Sequence, residues 1–241
     1  YQNYEIIMAD NGSTDPKMHE LYAEFEQQLP GRFFVESIDI PFNFSTINNR
    51  AVKKAHGEYL LFLNNDTEVI TENWLTLMVS FAQQERIGCV GAKLLYPNNT
   101  VQHAGVILGL GGVAGHGHYG YPHGDLGYFG RLAINVNYSA VTAACLLMKK
   151  ADFDAVGGFE EAFTVAFNDV DLCLKVQALG RDNVWLHEAE LYHFESQTRG
   201  YDDKGKKKKR FEQEKVMMEE KWGPLIENDP FYNPNLTRDI P

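Results

Sequence analysis

Glu58-Tyr59-Leu60-Leu61-Phe62-Leu63-Asn64-Asn65-Asp66-Thr67 is an apolar run of strand length that stops abruptly at three polar residues, the last a carboxylate. A short apolar run with no alternation fits a parallel strand covered on both faces. Its carboxyl end opens into a loop, and in open α/β sheets ligands gather at that end. A carboxylate there can hold a divalent cation, and the cation a diphosphate. A plain strand followed by a solvated turn has the same local pattern, so the flanking chain has to decide.

Upstream, Tyr4-Glu5-Ile6-Ile7-Met8-Ala9 reads as a strand ending at Asp10. Asp10-Asn11-Gly12-Ser13-Thr14-Asp15 is a turn and a helix start, with Asp15 or Thr14 as N-cap and Pro16 at the first helical position. Met18, Leu21, Phe25 and Leu29 recur at helical spacing, Phe33 to Ile40 reads as a strand, and Phe44 to Ala55 as a helix closed by Gly57. Strand, helix, strand, helix, strand predicts a Rossmann-like α/β fold, with a mostly parallel sheet and flanking helices. Tyr1 stands in the approach to a strand and no initiator Met precedes it, which predicts that a preceding strand is missing.

Downstream, Glu72 to Gln84 is an amphipathic helix with Trp74, Leu77, Met78 and Phe81 on one face, and Cys89 to Tyr96 a strand. From His103 to Arg131 glycine, tyrosine and histidine dominate without periodicity, which predicts a long functional loop. Ala140 to Lys149 reads as a buried strand, Ala166 to Leu179 as a helix, and Val184 to Phe194 as the last strand. A charged hinge (202–210) leads into a helix to about Trp222, with Phe211, Met218 and Trp222 inward, and a Pro/Asn-rich tail. The expected organisation is one catalytic domain over 1–200, with 201–241 packed on it.

The 241 residues suffice for one sizeable core. A formal net charge of -11 argues against a general nucleic-acid surface. It also means that an anionic nucleotide would need a metal or a local basic group. Cys89, Cys145 and Cys173 are an odd number at wide spacing, and fit reduced core thiols of a cytoplasmic protein better than a disulfide frame or a zinc site. No stretch is long and apolar enough to span a bilayer.

Other polar residues join Asp66 at expected strand ends and helix starts: Asp10, Asn168-Asp169 with Asp171 beyond, and His193. One carboxylate could bind metal, one a nucleoside and one a proton, and a histidine could complete a metal shell. Each has a plainer role open to it: Asp10 as a turn residue, Asp169 as a helix cap, Asp171 in orienting the helix start, His193 as a core histidine. His103, His116, His118 and His123 lack ligand spacing and read as surface or acceptor-loop histidines. Gly109-Leu110-Gly111-Gly112 follows no clear strand and is a poor phosphate cradle.

The set in order resembles the inverting glycosyltransferases of family 2, over nearly the whole chain. Met8 to Asp15 looks like that family's uridine-contacting segment, and Asn48-Asn49-Arg50-Ala51 with Gly57-Glu58-Tyr59-Leu60 like its lead-in to the metal strand. Asn64-Asn65-Asp66 stands where the family has Asp-x-Asp, Gly157-Gly158-Phe159-Glu160-Glu161 and Asn168-Asp169-Val170-Asp171-Leu172 resemble its acceptor-side motif, and Tyr192-His193-Phe194-Glu195-Ser196 its late histidine motif. The first Asp of the metal motif is Asn64 here, and the Glu before the catalytic Asp is Asn168.

The resemblance implies an A-type glycosyltransferase fold and transfer of a hexose or deoxyhexose from a nucleoside-diphosphate sugar to a polysaccharide or lipid-linked acceptor, as in rhamnosyltransferase-like members. It implies Asp169 as base, and Asp66 with His193 on Mg²⁺ or Mn²⁺. Asp10, Asn11, Ser13, Asn48 and Asn65 would contact the donor, with Arg199 as a phosphate clamp. Lys206 to Arg210 is a solvated hinge or a peripheral contact with anionic lipid at the inner membrane face. Two rivals stand beside this reading: a nucleotidyltransferase on a similar sheet, and a module that binds sugar nucleotide or glycan without turnover.

Overall fold

The computed structural model describes residues 1–194 and 205–239. The first strand, β1 (Ile6–Asp10), leads into α1 (Pro16–Gln28), and Asp15 caps that helix by accepting from Lys17 N at 3.0 Å. β2 (Phe33–Ser37) runs parallel to β1, with Asp10 opposite Ser37. α2 (Phe44–Val52) is capped by Asn43, whose side chain accepts from Thr46 N at 3.0 Å, and returns the chain to β3 (Tyr59–Leu63). β4 (Thr67–Val69), α3 (Trp74–Ala82) and the nine-residue β5 (Ile87–Leu95) follow.

Every residue of β5 is buried, which is why it carries no polar alternation. β3 alternates instead. Leu60 and Phe62 join the core that holds Phe153, Phe159 and Trp185, while Tyr59 and Leu61 pack with Met78 and Leu147 beneath α3. Both faces of the sheet are therefore covered, which accounts for the unbroken apolar run.

The stretch from 103 to 131, expected as a structureless loop, is instead ordered into β6 (Val101–His103), β7 (Val106–Leu108) and β8 (Ala114–His116), then a 3-10 segment at Tyr128–Ala133. Residues 101–108 are all buried, so His103 is a core residue rather than a surface one. Gly105 permits the tight entry to β7. Its φ is +85°, and a Cβ there would lie 2.1 Å from the Tyr138 ring.

β9 (Val136–Tyr138), β10 (Cys145–Lys149), α4 (Lys150–Ala155), α5 (Asn168–Ala178), β11 (Asp182–His193) and α6 (Gly205–Glu227) complete the chain. Where periodicity predicts a mostly parallel sheet, the main sheet is mixed. Its order is β3-β10-β5-β11-β4, with β6 on β5 and β9 on β11. β5 and β11 are parallel, whereas β10, β4, β6 and β9 run antiparallel to their neighbours. Cys89, Cys145 and Cys173 are buried free thiols, and burial pushes the Cys145 thiol well above its ordinary value, so it stays protonated.

β1 and β2 form their own two-stranded sheet, and β1 does not pair with β3. Glu5 ties their amino ends together by accepting from His56 N at 2.6 Å and Gly57 N at 3.1 Å. Their carboxyl ends, at Asp10 and at Asn64 to Asp66, face one cavity, so the two strands run the same way with an apolar slot between them.

α6 is fastened to α5 through Asp171. This fully buried carboxylate meets Lys221 Nζ at 2.6 Å, accepts from Trp222 Nε1 at 2.8 Å and lies 3.5 Å from Lys175 Nζ. Asp171→Ala leaves the indole N–H without its acceptor and removes the charge between two lysines. We expect a loss of about 2–3 kcal/mol, read as a lower urea midpoint at unchanged slope.

Candidate active site

The cavity at the carboxyl ends of β1 and β3 measures about 2680 Å³. A single small ligand occupies roughly 300–1,000 Å³, and the β1–β3 slot makes up part of the surplus. Asp10, Asn11, Ser13, Asn48, Asn65, Asp66, Asp169 and His193 all line this cavity. Arg199 lies outside the described residues, as do Glu195 and Ser196.

At the far end of the β3 loop, Asp66 Oδ1 lies 3.1 Å from His193 Nε2, and Asn64 Nδ2 lies 3.1 Å from the same nitrogen. His193 closes β11, which pairs with β4 through Thr67 opposite His193, so the sheet register itself brings the two together. Gln102 Oε1 sits 2.7 Å from His193 Nδ1, and its amide group donates to His193 O at 3.4 Å. That orientation puts a proton on Nδ1 and turns Nε2 toward Asp66. An imidazole nitrogen and a carboxylate oxygen at this distance need a proton or a cation between them. The His193 hydrogen bond holds the Asp66 carboxyl below its ordinary value, against the opposing effect of burial.

This donor pair fits a hard divalent ion that keeps open positions for phosphate oxygens and water. Among the described residues no group of three or more His, Cys, Asp or Glu could hold a metal by itself. A bound ion would therefore draw its other ligands from substrate and solvent.

Asp169 occupies the first turn of α5 rather than its N-cap. The cap position is Phe167, in left-handed conformation at φ 61°. Asp169 Oδ2 accepts from Ala143 N at 3.0 Å and Oδ1 from Val170 N at 2.8 Å, which fixes the carboxylate against the β9–β10 loop. Asn168 is buried and donates to Val165 O at 2.9 Å. Its amide closes the loop from inside, a role that needs a donor and so suits Asn rather than Glu.

On the opposite wall Asp10 is buried, and its Oδ1 takes Ser13 N at 3.1 Å, the Ser13 hydroxyl and Tyr22 OH at 3.4 Å. Among the described residues these contacts all fall on Oδ1 and none on Oδ2. Asn11 is committed to the fold, donating to Ile38 O at 2.7 Å and Ile40 O at 2.9 Å. Asn48 likewise donates within α2, to Phe44 O at 2.9 Å.

Three features escaped the sequence reading. Lys207 and Arg210, expected in a solvated hinge or a contact with anionic lipid, belong to α6 and line the cavity. The signal was present: Lys207, Arg210, Phe211, Glu214 and Met218 share one helical face. Gln102 supports His193, as described. His103 Nδ1 lies 2.8 Å from His116 Nδ1, and burial, then the charges of His116 and His193, hold His103 well below its ordinary value, so it is neutral. His116, not His103, reaches the cavity. Among the described residues no helix is long and apolar enough to cross a membrane.

Two curated relatives cover nearly all of this chain. The uncharacterized protein y4gI of Sinorhizobium fredii is 51% identical over 237 residues, 98% of this chain and 26% of that protein. The O-antigen biosynthesis protein RfbC of Myxococcus xanthus is 40% identical over 240 residues, 98% of this chain and 18% of its own length. The chain thus spans about a quarter or less of these relatives. Among solved structures, GalNAc-T7 with UDP, GalNAc and Mn²⁺ superposes with a TM-score of 0.68 at 13% identity, over 96% of this chain and 46% of that one. The mannosyltransferase PcManGT of Pyrobaculum calidifontis, with GDP-Man and Mn²⁺, gives 0.62 at 15% identity, over 90% and 54%. The profile of Glycosyl transferase family 2 matches residues 1–155, and the chain belongs to that family, with the A-type glycosyltransferase fold.

Proposed function

We propose that this chain is the catalytic unit of an inverting glycosyltransferase that moves a hexose or deoxyhexose from a nucleoside-diphosphate sugar to a polysaccharide or lipid-linked acceptor. The observation that carries the reading is the opening of the Asp66–His193 pair and of Asp169 into one cavity. The name of the Myxococcus relative supports a surface-polysaccharide acceptor. The titles of the two solved neighbours support a nucleoside-diphosphate-sugar donor and a divalent metal.

In this reading Asp169 takes the proton of the acceptor hydroxyl. The acceptor oxygen bonds to the anomeric carbon from the face opposite the diphosphate, the bond from that carbon to the diphosphate oxygen breaks, and the nucleoside diphosphate leaves with the electron pair. A base so placed contributes about 10²–10⁴-fold. Asp66 and His193 would hold Mg²⁺ or Mn²⁺, which supplies charge stabilisation for the leaving diphosphate. Lys207 and Arg210 add positive charge on the same wall, and Arg199 is taken as a further clamp. Asp10 would accept from the imide N–H of a uracil or thymine, with Asn11, Ser13, Asn48 and Asn65 around the nucleoside. The same reading assigns 1–200 to the catalytic domain and 201–241 to a helix and tail packed on it.

A thermal-shift screen of UDP-, dTDP- and GDP-sugars with and without Mn²⁺ tests the donor. A ligand at one hundred times its dissociation constant stabilises by about 2.7 kcal/mol, a readily measured shift. We expect a Mn²⁺-dependent shift with one nucleotide class. No shift with any of them removes the donor reading. Binding without release of nucleoside diphosphate would favour the non-catalytic module.

A further inference from the structure

Glu214 of α6 is 2% exposed, and its carboxylate is directed at the loop that precedes the base. Oε1 accepts from Thr164 N at 2.7 Å, the Thr164 hydroxyl at 2.7 Å and Val165 N at 3.1 Å, and Oε2 accepts from Ala166 N at 3.0 Å. Four donors from three consecutive residues thus converge on one buried carboxylate. Arg210 Nε, one turn back on α6, lies 3.7 Å from Oε2.

The loop is held from its other side by α2. Phe44 N donates to Thr164 O at 2.8 Å and the Ser45 hydroxyl to Phe163 O at 2.6 Å. Directly after the Glu214 contacts comes Phe167, a bulky residue in the left-handed region, which persists only where its surroundings impose it. Phe211 of α6 packs on the Phe167 ring, with centroids 5.4 Å apart. Two residues after Asp169, Asp171 is bound by Lys221 and Trp222 of the same helix. α6 therefore grips the chain before, at and after the strained turn, and Asp169 lies between the grips.

We propose that Glu214 is a positioning residue for the transfer. Its carboxylate fixes the loop Thr164–Ala166 from the C-terminal helix and so sets Asp169 at the cavity wall. This rests on the reading of Asp169 as the base. A merely structural anchor would affect folding and donor binding alike. A positioning residue acts on the chemical step, through one side chain.

The test uses the sugar nucleotide that gives the largest thermal shift with Mn²⁺, and follows single-turnover release of nucleoside diphosphate with water as acceptor. Glu214→Ala is expected to lower the rate constant about 10²-fold, the scale of an ångström-sized misplacement, with donor affinity unchanged. Glu214→Gln keeps an oxygen for the three Oε1 bonds and is expected to recover part of the loss. It also stands in if the alanine variant fails to fold. Glu219→Gln, a surface change on the same helix that removes the Lys215 pair, is expected to leave the rate as it was.

The decisive arm is the double variant. If Glu214 acts through Asp169, Glu214→Ala costs nothing more in an Asp169→Asn background, since groups that act as a unit are not additive. A multiplicative loss there overturns the proposal while leaving the base reading intact, as does a wild-type rate in both Glu214 variants, or a fall in donor affinity that matches the fall in rate. An Asp169→Asn variant of full activity, or no release from the unaltered protein, removes the base reading and this proposal with it.

Discussion

Asp169→Asn lowers transfer by about 10²–10⁴-fold and leaves donor binding where it was. The amide is nearly isosteric with the carboxylate and keeps one oxygen for either Ala143 N or Val170 N. One of two hydrogen bonds to the side chain is lost, a change of about 1 kcal/mol that the fold tolerates. What the amide lacks is the ability to take a proton from an acceptor hydroxyl. Asp66 and His193 meet each other across the cavity and are not touched by the change. Rates of nucleoside diphosphate release and thermal-shift titrations of the donor, measured on the same preparation, separate the two effects. An unchanged rate would move the base elsewhere.

The residues of the first half of the site were legible because their signals are local. Asp15 followed by Pro16 is a helix start wherever it occurs, and the run Tyr59 to Leu63 is a strand because two apolar layers close on it. Asp10 and Asp66 then follow as strand-end residues. The stretch after His103 was misread for an equally physical reason. Three-residue strands such as Val106–Leu108 and Ala114–His116 are too short to show a period, and most of the glycines that made the stretch read as a loop are turn positions with positive φ. The sense of the sheet was also hidden, since β10 enters between β3 and β5 from some 80 residues away and nothing near Cys145 records its direction. Glu214 is the extreme case. Its four donors lie 48–50 residues upstream, and at the level of sequence it is one more acid on a charged helix.

Removing the metal pair is the second large effect. Asp66→Ala or His193→Ala is expected to abolish the Mn²⁺-dependent part of the donor shift and, with it, release of nucleoside diphosphate. Gln102→Ala, which frees His193 to turn, is expected to weaken metal affinity by about 10–100-fold, the range found for partners that orient a ligand. The pH dependence follows from the same contact. Asp66 is depressed by His193, so the stability it contributes is complete above the ordinary carboxylate range and is lost only as pH falls through its lowered folded value. Acid in the mild range therefore does not neutralise the carboxylate. A cation that takes Nε2 as a ligand has to displace any proton shared between that nitrogen and Asp66. Metal binding should accordingly release a proton and strengthen as pH rises. Calorimetry at one pH in two buffers of different ionisation enthalpy reads that proton directly. A binding heat independent of buffer would mean that His193 does not exchange a proton for the metal.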